Sequence, residues 1–561
     1  MPRRRFTALA LAPLGAAVLP GTAFAEPADS DASNLDATGF DATPAPDPAP
    51  VPDLTGCGVD KLVPKREFRA MWLASVVNID YPRTTGLDEA TLKADYRAWL
   101  DLAERHNHNA IVVQVRPTAD AFWPSPYEPW SEWLTGKRDG VGPGWDPLQF
   151  MVEEAHARNL EFHAWFNPYR VSMPAPGGAG GDISKLAPNH PVREHPEWAV
   201  AYPVGNAATR LYYNPGIPAV REFVQNAIMD AVTKYDLDGV HFDDYFYPYP
   251  ASGQDFGDAD AFAQYGQGWA NKADWRRNNI DLLIQEMAEK VRAAKPWVKF
   301  GVSPFGIWRN KAADPLGSDT NGTQSYDANF ADTRKWVKQG WLDYIVPQIY
   351  WNIGFAVADY AKLTPWWAEV VKGTECQLYI GQADYKIATA GQPAAWFDPT
   401  EMGKHIALNR NIPEVDGSIH FSANHLRSDR IGATTHYVST YYSKPALVPA
   451  LSRLAPQPML PPVITHIGGE TGGVRIAWNH PGDSSVPLGE ATSFAVYRFD
   501  GRDPLPDVCG IADASHLIGT VRGTSFLDTT VQSRTAYTYV VTALNRVWHE
   551  SAPSMGRFTT A

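Results

Sequence analysis

The sequence predicts an α/β protein, a (β/α)8 barrel of the TIM type followed by a small all-β domain. Between residues 61 and 454, eight short apolar runs alternate with amphipathic segments, which is the pattern of parallel strands joined by crossover helices. From residue 463 to residue 561, short runs alternate apolar and polar side chains without a helical period. At 561 residues the chain is long enough to give each domain its own core.

The first 25 residues have the three-part pattern of a secretory signal. The segment "MPRRRFTALALAPLGAAVLPGTAFA" starts with arginines, continues with an apolar stretch and ends on small residues at Ala25. Residues 3–6 also match the start of a twin-arginine signal, so both export routes stay open. Residues 26–60 are rich in Asp, Ala and Pro and are predicted to be a disordered linker. We expect an exported protein that is extracellular, periplasmic or associated with the cell wall.

Composition narrows the classes of partner. The net charge of -13, with scattered basic residues, disfavours nucleic acid. No run after the signal reaches the ~18 apolar residues of a membrane span. Cys57, Cys376 and Cys509 have no metal-ligand spacing, so at most one disulfide forms and one thiol is left over. The sequence predicts no cofactor and no metal site, and it leaves the oligomeric state open.

The eight apolar runs are the predicted barrel strands. They span residues 68–76, 110–117, 161–168, 239–245, 299–306, 344–351, 377–385 and 418–425. Helical spacing of apolar residues is clearest at residues 88–106, 218–235 and 274–295. Active sites of such barrels lie where strands end and loops begin, so polar residues at the strand ends are the candidates.

Side chains alternate along a strand, and this gives each candidate a direction. In the fourth run, His241 and Asp243 are predicted to face the barrel interior, while Val240 and Phe242 face the helices. Asp244 follows at the strand end, and its direction stays open. The same alternation predicts inward polar or aromatic residues on the other strands: Gln114, Arg116, His163, Trp165, Asn167, Ser303, Gln348, Tyr350, Gln382, Asp384, Ser422 and Asn424.

Aromatic residues crowd the loops after these strands. Those after the second to sixth strands include Tyr127, Tyr169, Tyr245, Tyr249, Trp308 and Trp351. Flat apolar faces beside amide, hydroxyl and carboxylate groups suit sugar rings. The alternative role of such rings is to pack the loops against each other.

Carboxylates beside sugar-binding groups indicate glycoside hydrolysis, which needs one carboxyl group as acid and another as nucleophile or base. Asp243 is the first candidate for nucleophile or base because it points into the barrel mouth. Asp244 and Asp384 are the candidates for the acid. An alternative role for Asp244 is helix capping or an ion pair with Arg116 or Arg170.

A series of motifs in fixed order resembles one known family. The motifs are "REFRAMWLASV" (66–76), "VVQVRPTADAF" (112–122), "FHAWFNPYRV" (162–171), "YNPG" (213–216), "DGVHFDDYFYP" (238–248), "SPFGIWRN" (303–310) and "PQIYWNIG" (347–354). Together they resemble the glycosyl-hydrolase-like barrel family catalogued as domain of unknown function 187. The resemblance implies an envelope protein that acts on glycan chains, such as peptidoglycan strands without stem peptides. It places Asp243, Asp244 and Tyr245 at the centre, surrounded by Arg116, Asn167, Tyr169, Arg170, Gln348 and Tyr350.

The C-terminal part begins after a Pro-rich linker at residues 455–462. In residues 463–561, the order of Trp478, "FAVYR" and "TAYTYVVTALNRVWHESAPS" resembles a fibronectin type III domain. Tyr537 or Tyr539 is the candidate for its tyrosine corner.

The expected function is hydrolysis of O-glycosidic bonds in cell-wall glycan, a polysaccharide substrate. A second hypothesis is a noncatalytic glycan-binding barrel, which the lack of an isolated Glu at a strand end supports. A third is a metal-dependent deacetylase, although the carboxylates and His241 form no convincing ligand set.

Overall fold

The structure is a computed structural model that describes residues 56–175, 177–204, 208–456, 458–482, 488–502 and 508–561. The predicted signal at residues 1–25 and most of the predicted linker at residues 26–60 lie outside these ranges. The prediction of export therefore stays a prediction.

The described residues before the C-terminal domain contain ten strands. They are β1 (Phe68–Leu73), β2 (Ala110–Arg116), β3 (Glu161–Phe166), β4 (Ala199–Val204), β5 (Ala208–Tyr213), β6 (Gly239–Phe242), β7 (Lys299–Val302), β8 (Tyr344–Ile345), β9 (Gln377–Gln382) and β10 (Val415–His420). β4 and β5 pair with each other as an antiparallel hairpin. The other eight strands are parallel and close into a barrel in chain order, so the predicted (β/α)8 barrel is confirmed.

Helices cover the outside of the barrel. They are α1 (Glu89–Arg105), α2 (Glu132–Thr135), α3 (Pro147–Ala157), α4 (Pro191–Glu194), α5 (Pro218–Lys234), α6 (Ala259–Tyr265), α7 (Lys272–Ala294), α8 (Ser325–Ala328), α9 (Thr333–Lys338), α10 (Tyr360–Val371), α11 (Glu401–Arg410), α12 (Ala423–Ser428) and α13 (Ala433–Tyr441). The Asp88 side chain caps α1 by accepting a hydrogen bond of 2.9 Å from the Thr91 backbone N–H. Among the described residues, no helix has both the length and the apolar content to cross a membrane.

The two faces of the strands pack in different layers. Met71 and Leu73 of β1 and Val240 of β6 are buried between the strands and the helices. Phe68 and Trp72, which alternate with them on β1, are buried in the barrel interior. The alternation of side chains predicted for β6 therefore matches the structure at its apolar positions.

The C-terminal domain is all-β, as the sequence predicts. Its strands are β11 (Val463–Glu470), β12 (Gly473–Asn479), β13 (Ala491–Asp500), β14 (Leu517–Val521), β15 (Ser525–Asp528), β16 (Ala536–Asn545) and β17 (Arg557–Thr560). They form two antiparallel sheets, in the orders β11-β12-β15 and β14-β13-β16-β17. The Tyr537 hydroxyl accepts a hydrogen bond of 3.0 Å from the Gln532 backbone N–H. The fibronectin type III resemblance stays a prediction.

The β-domain packs against the end of the barrel where the strands begin. Leu517, Val540 and Trp548 of the β-domain share one apolar cluster with the interior side chains Phe68 and Tyr344. A disulfide, Cys57–Cys509, joins the segment before β1 to the β-domain, and Cys376 is the remaining, buried thiol. The opposite end of the barrel, where the strands end, is left for the site.

Candidate active site

A cavity of about 440 Å³ opens where the barrel strands end. Its charged lining residues are Arg170, Asp243, Asp244 and Lys386. The predicted residues Tyr245, Ser303, Gln348, Tyr350 and Trp351 also line it, together with the aromatic residues Trp72, Trp165, Tyr249, Phe305, Tyr385 and Phe421. The cavity combines apolar surfaces with a few polar groups, as small-molecule binding sites do.

Asp243 points into the cavity from the end of β6, and four donors or charges hold its carboxylate. Asn167 Nδ2 donates to both carboxylate oxygens, at 3.0 and 2.9 Å. Trp165 Nε1 donates at 3.0 Å and the Tyr245 backbone N–H at 3.2 Å. Burial raises the pKa of Asp243, whereas the Arg170 charge and these hydrogen bonds act to lower it. The carboxylate therefore has a fixed orientation and a ready set of partners for its ionised form.

Asp244 also lines the cavity, because the chain bends directly after Asp243. Its Oδ2 accepts a hydrogen bond from the Tyr249 hydroxyl. Burial and the neighbouring charge of Asp243 raise the pKa of Asp244 to about 6, and Tyr249 and Gln348 act to lower it. Among the described residues it forms no ion pair with an arginine, so the predicted alternative role is not what the structure shows. Two adjacent carboxyl groups thus have different surroundings: amide, indole and backbone donors hold Asp243, whereas a tyrosine hydroxyl holds Asp244.

Asn167 connects Asp243 to Arg170. While its Nδ2 donates to Asp243, its Oδ1 accepts a hydrogen bond of 2.8 Å from the Arg170 backbone N–H. The Arg170 Nε donates to the Pro117 carbonyl at 3.1 Å, and the guanidinium lies 5.0 Å from the centre of the Tyr245 ring. Arg170 is therefore fixed beside the carboxylate whose charge it compensates.

A column of hydrogen bonds runs along the barrel axis beneath the cavity. His163 Nε2 lies 2.8 Å from Glu161, an acceptor, and must donate to it, so His163 Nδ1 accepts from the Tyr344 hydroxyl at 3.0 Å. The Tyr344 oxygen then accepts from His241 Nδ1 at 3.1 Å. His241 Nε2 is left as an acceptor, and the indole N–H of Trp72 donates to it at 3.2 Å. Donors and acceptors therefore match from one end of the column to the other.

His241 forms the top of this column and does not itself line the cavity. It is fully buried, and burial holds its pKa well below the usual range. Ser303 Oγ, which does line the cavity, lies 3.0 Å from the same Nε2 and shares its one lone pair with the Trp72 indole N–H. Within the described part of the chain, no three His, Cys, Asp or Glu side chains cluster as ligands for a metal ion.

Asp384 does not reach the cavity, because the predicted alternation is inverted on β9. The interior positions of β9 are Tyr379 and Gly381, while Gln382 points outward and donates to the Tyr360 hydroxyl of α10. Asp384 is buried on the same outer side and lies 3.0 Å from His420 Nδ1. Polar side chains of the helix layer satisfy these groups, so polarity was a misleading sign of the interior face.

Arg116 is also turned away from the cavity. Gln114 of β2 aligns with the inward Trp165 of β3, but a register shift follows, and Arg116 aligns with the outward Phe166. Such a bulge places an extra residue in one strand and reverses the direction of the side chains beyond it. The Arg116 guanidinium is fully buried in an ion pair with Glu128, with an Nε to Oε2 distance of 2.7 Å.

Three further predicted residues lie outside the cavity lining. Tyr169 is buried in the layer between the strands and the helices. The Trp308 indole N–H donates to Asp332 at 2.9 Å. Asn424 is exposed at the start of α12, and its backbone N–H donates to Asp80 at 2.9 Å. Their contacts are those of loop packing, which is the alternative role of polar and aromatic residues in barrel loops.

Sequence reasoning missed Lys386, Trp72 and Phe421 as lining residues. Lys386 and Phe421 follow β9 and β10, the two strands for which the predicted alternation is inverted. Trp72 is an apolar residue of β1, a strand whose residues are all buried. Only its position near the end of the strand distinguishes it from the core residues. The signal that could have corrected β9 is the aromatic residue Tyr379. Placing Tyr379 in the barrel interior predicts the correct face for every other residue of that strand.

Comparison with known proteins gives one family and several relatives. A family model described as "Glycosyl hydrolase-like 10" matches residues 67–398. Glycosyl hydrolase YngK of Bacillus subtilis (strain 168) is 45% identical over 496 residues, which cover 87% of this chain and 92% of that protein. Glycosyl hydrolase DigH of Escherichia coli (strain K12) is 40% identical over 390 residues, covering 66% of this chain and 87% of that protein. Among solved structures, the PgaB (BpsB) glycoside hydrolase domain from Bordetella bronchiseptica aligns with a TM-score of 0.43 and 12% identity, over 66% of this chain and 98% of that chain.

Proposed function

The chain belongs to the glycosyl hydrolase-like 10 family, and from this membership we propose that it is an exported hydrolase of O-glycosidic bonds in bacterial cell-wall glycan. The observation that carries the proposal is the pair Asp243 and Asp244 in a cavity lined by aromatic side chains. The substrate we favour is the peptidoglycan strand without stem peptides. Export is supported by the signal pattern of residues 1–25.

Asp243 is assigned as nucleophile or base. Asn167 and Trp165 donate three hydrogen bonds to its carboxylate, and Arg170 supplies a positive charge nearby. Burial raises the pKa of Asp243, and these partners act in the opposite direction, toward the ionised form that attacks a sugar carbon or activates water.

Asp244 is assigned as the acid. Its pKa of about 6 means that a large fraction of the carboxyl group is protonated in mildly acidic solution. Ionised Asp243 next to it favours that proton, since two adjacent negative charges repel. A glycosidase needs such an acid to protonate the leaving oxygen.

The remaining lining residues suit a sugar chain. Tyr245, Tyr350 and Trp351 present ring surfaces to the cavity, and sugars pack their C–H faces on such rings. Gln348 Nε2 donates to the Ser303 carbonyl at 2.9 Å, which fixes the amide at the cavity wall. Fixed polar groups between rings can select the hydroxyl pattern of a sugar.

The test is digestion of purified peptide-free peptidoglycan strands by the full exported chain, with mass analysis of the products. Wild type is expected to release shorter glycans with new reducing ends. Asp243→Asn and Asp244→Asn are each expected to lower the rate by about 10²–10⁴-fold, the usual contribution of such groups. Asp319→Asn is the matched control, because the Asp319 side chain is 73% exposed in a surface ion pair.

Two outcomes contradict this assignment. Full lytic activity in folded Asp243→Asn protein would remove Asp243 from the chemistry. Tight binding of the strands by wild type without any product would show the noncatalytic glycan-binding barrel instead.

A further inference from the structure

Lys386 is a cation of the cavity that has no carboxylate beside it among the residues that the structure describes. It ends a 3-10 helix, Asp384–Lys386, directly after β9, and its side chain lines the cavity. The ammonium donates one hydrogen bond, of 2.6 Å, to the Tyr350 carbonyl. Among the described residues, no Asp or Glu forms an ion pair with it. An ammonium has three donors, so two remain for a ligand.

The nearby charges have other partners. Arg170, the second cation of the cavity, lies near Asp243 and stabilises its ionised form. Asp384, only two residues before Lys386, is turned to the other side and bound to His420 at 3.0 Å. The protein itself thus leaves the charge of Lys386 unmatched within its described part.

Burial disfavours the charged form of this side chain and lowers the pKa of Lys386. Within the described part of the chain, no carboxylate acts against that effect. The rings of Tyr385 and Trp396, each centred 5.9 Å from the ammonium, compensate only weakly. An anion on a ligand would restore the lost solvation through charge-assisted hydrogen bonds.

We propose that Lys386 binds a carboxylate carried by the glycan, on a sugar unit beside the one at which Asp243 and Asp244 act. The inference rests on the proposed function and assigns to Lys386 the recognition of the carboxyl group that such a glycan carries. β6 and β9 are the fourth and seventh strands around the barrel, so Lys386 approaches the cavity from a different side than the two aspartates. That separation lets an anionic substituent bind without facing Asp243 and Asp244 directly.

The test compares two charge variants on two matched substrates. Lys386→Met keeps most of the stem and removes the charge, whereas Lys386→Arg keeps the charge. Each is assayed with wild type on peptide-free peptidoglycan strands and on the same strands after their carboxyl groups have been reduced to alcohols. On the carboxylate strands, kcat/KM of Lys386→Met is expected to fall about tenfold to a hundredfold, mainly through KM. On the reduced strands the decrease is expected to be several-fold smaller than on the carboxylate strands, and Lys386→Arg is expected to retain most of the wild-type rate on both.

Binding is measured separately, so that the two proposals can fail independently. In an Asp243→Asn background, calorimetry gives the Kd of a soluble carboxylate-bearing oligosaccharide and of its reduced counterpart, with and without Lys386→Met. If wild type cuts neither substrate, the proposed function fails, while the ratio of the two Kd values still decides the role of Lys386. An equal loss on both substrates, or no loss on either, overturns the inference.

Discussion

Trp548 of the β-domain and Glu161 of the barrel are joined by a hydrogen bond of 2.7 Å from the indole Nε1 to the carboxylate Oε1. Glu161 begins β3 and also accepts from Lys299 Nζ, at 2.8 and 2.9 Å, and from His163 Nε2 at 2.8 Å. Burial opposes the charge of Glu161, but Lys299 and His163 outweigh it and lower its pKa. A side chain of the C-terminal domain thus completes a buried charge cluster inside the barrel, at the foot of the axial column.

Loss of the Glu161 charge is expected to destabilise the whole protein. Glu161→Gln leaves the buried Lys299 ammonium without its counter-ion, which costs about 3–5 kcal/mol. Trp548→Phe keeps most of the ring but removes one donor to a charged acceptor, at a cost of about 1.5–3 kcal/mol. Thermal unfolding is expected to show a lower Tm for both variants, with the larger decrease for Glu161→Gln.

The matched control is Glu470→Gln, which removes an exposed Glu470–Arg475 pair of the β-domain. Exposed pairs contribute little to stability, so its Tm is expected to stay at the wild-type value. If Glu161→Gln also left Tm unchanged, the buried cluster would have no role in joining the two domains.

The Cys57–Cys509 disulfide is expected to stabilise the same association. Its cysteines are 452 residues apart, so the bond restricts a very long segment of the unfolded chain. Removing a native disulfide typically costs about 2–5 kcal/mol. A Cys57→Ser/Cys509→Ser variant is therefore expected to unfold at lower temperature than wild type, and reductant should lower the Tm of wild type but not of this variant.

Cys376→Ala provides the control for thiol chemistry, because Cys376 is buried and unpaired. Reductant is expected to lower its Tm as in wild type. An unchanged wild-type Tm, at a reductant concentration where alkylation of the subsequently denatured protein labels all three cysteines, would contradict a stabilising role of the bond.

The barrel could be predicted from the sequence because its signals are redundant. Each of the eight apolar runs falls on an observed strand, and the alternation along β6 correctly predicts that Asp243 lies on the inner side. On β9 the predicted alternation is off by one residue, so Asp384 lies on the outer face and not on the inner one. On β2 a bulge turns Arg116 to the outer face. Neither difference alters the fold. Whether a residue reaches the site depends on which face of its strand it occupies. The apolar pattern does not specify that face when both faces of the strand are buried.

The pH dependence of hydrolysis is expected to report Asp244. The acid must be protonated, so kcat/KM should fall as pH rises through about 6, the pKa of Asp244. The Tyr249 hydrogen bond stabilises the ionised carboxylate and lowers this pKa. Tyr249→Phe should therefore raise the pKa of Asp244 and move the alkaline limb of the profile to higher pH.

Tyr247→Phe is the control for that experiment. Tyr247 lies in the same segment, but it is buried away from the cavity, where its ring packs near Phe256 and Phe330. The alkaline limb of the Tyr247→Phe pH profile is expected to coincide with that of wild type. A Tyr249→Phe limb that stays in place, or moves to lower pH, would contradict the assignment of Asp244 as the acid.

The ionised carboxylate of Asp244 is also expected to destabilise the folded protein, and the pH dependence of Tm measures this effect. Its pKa is about 6 in the folded protein, above the ordinary value of 3.8, so the folded state holds its proton more tightly than the unfolded state. The free energy of unfolding therefore decreases as pH rises from 3.8 through about 6, and the decrease is complete above that pH.

At pH 7.5 the neutral side chain of Asp244→Asn should raise Tm by about 1–3 °C, given about 1.4 kcal/mol per pKa unit and the unfolding entropy of a chain this long. At pH 4, where Asp244 is protonated in the folded protein, the two Tm values should converge. A Tm of Asp244→Asn below wild type at pH 7.5, with convergence absent at pH 4, would show that the ionised carboxylate stabilises the fold and would remove the basis for its role as the acid.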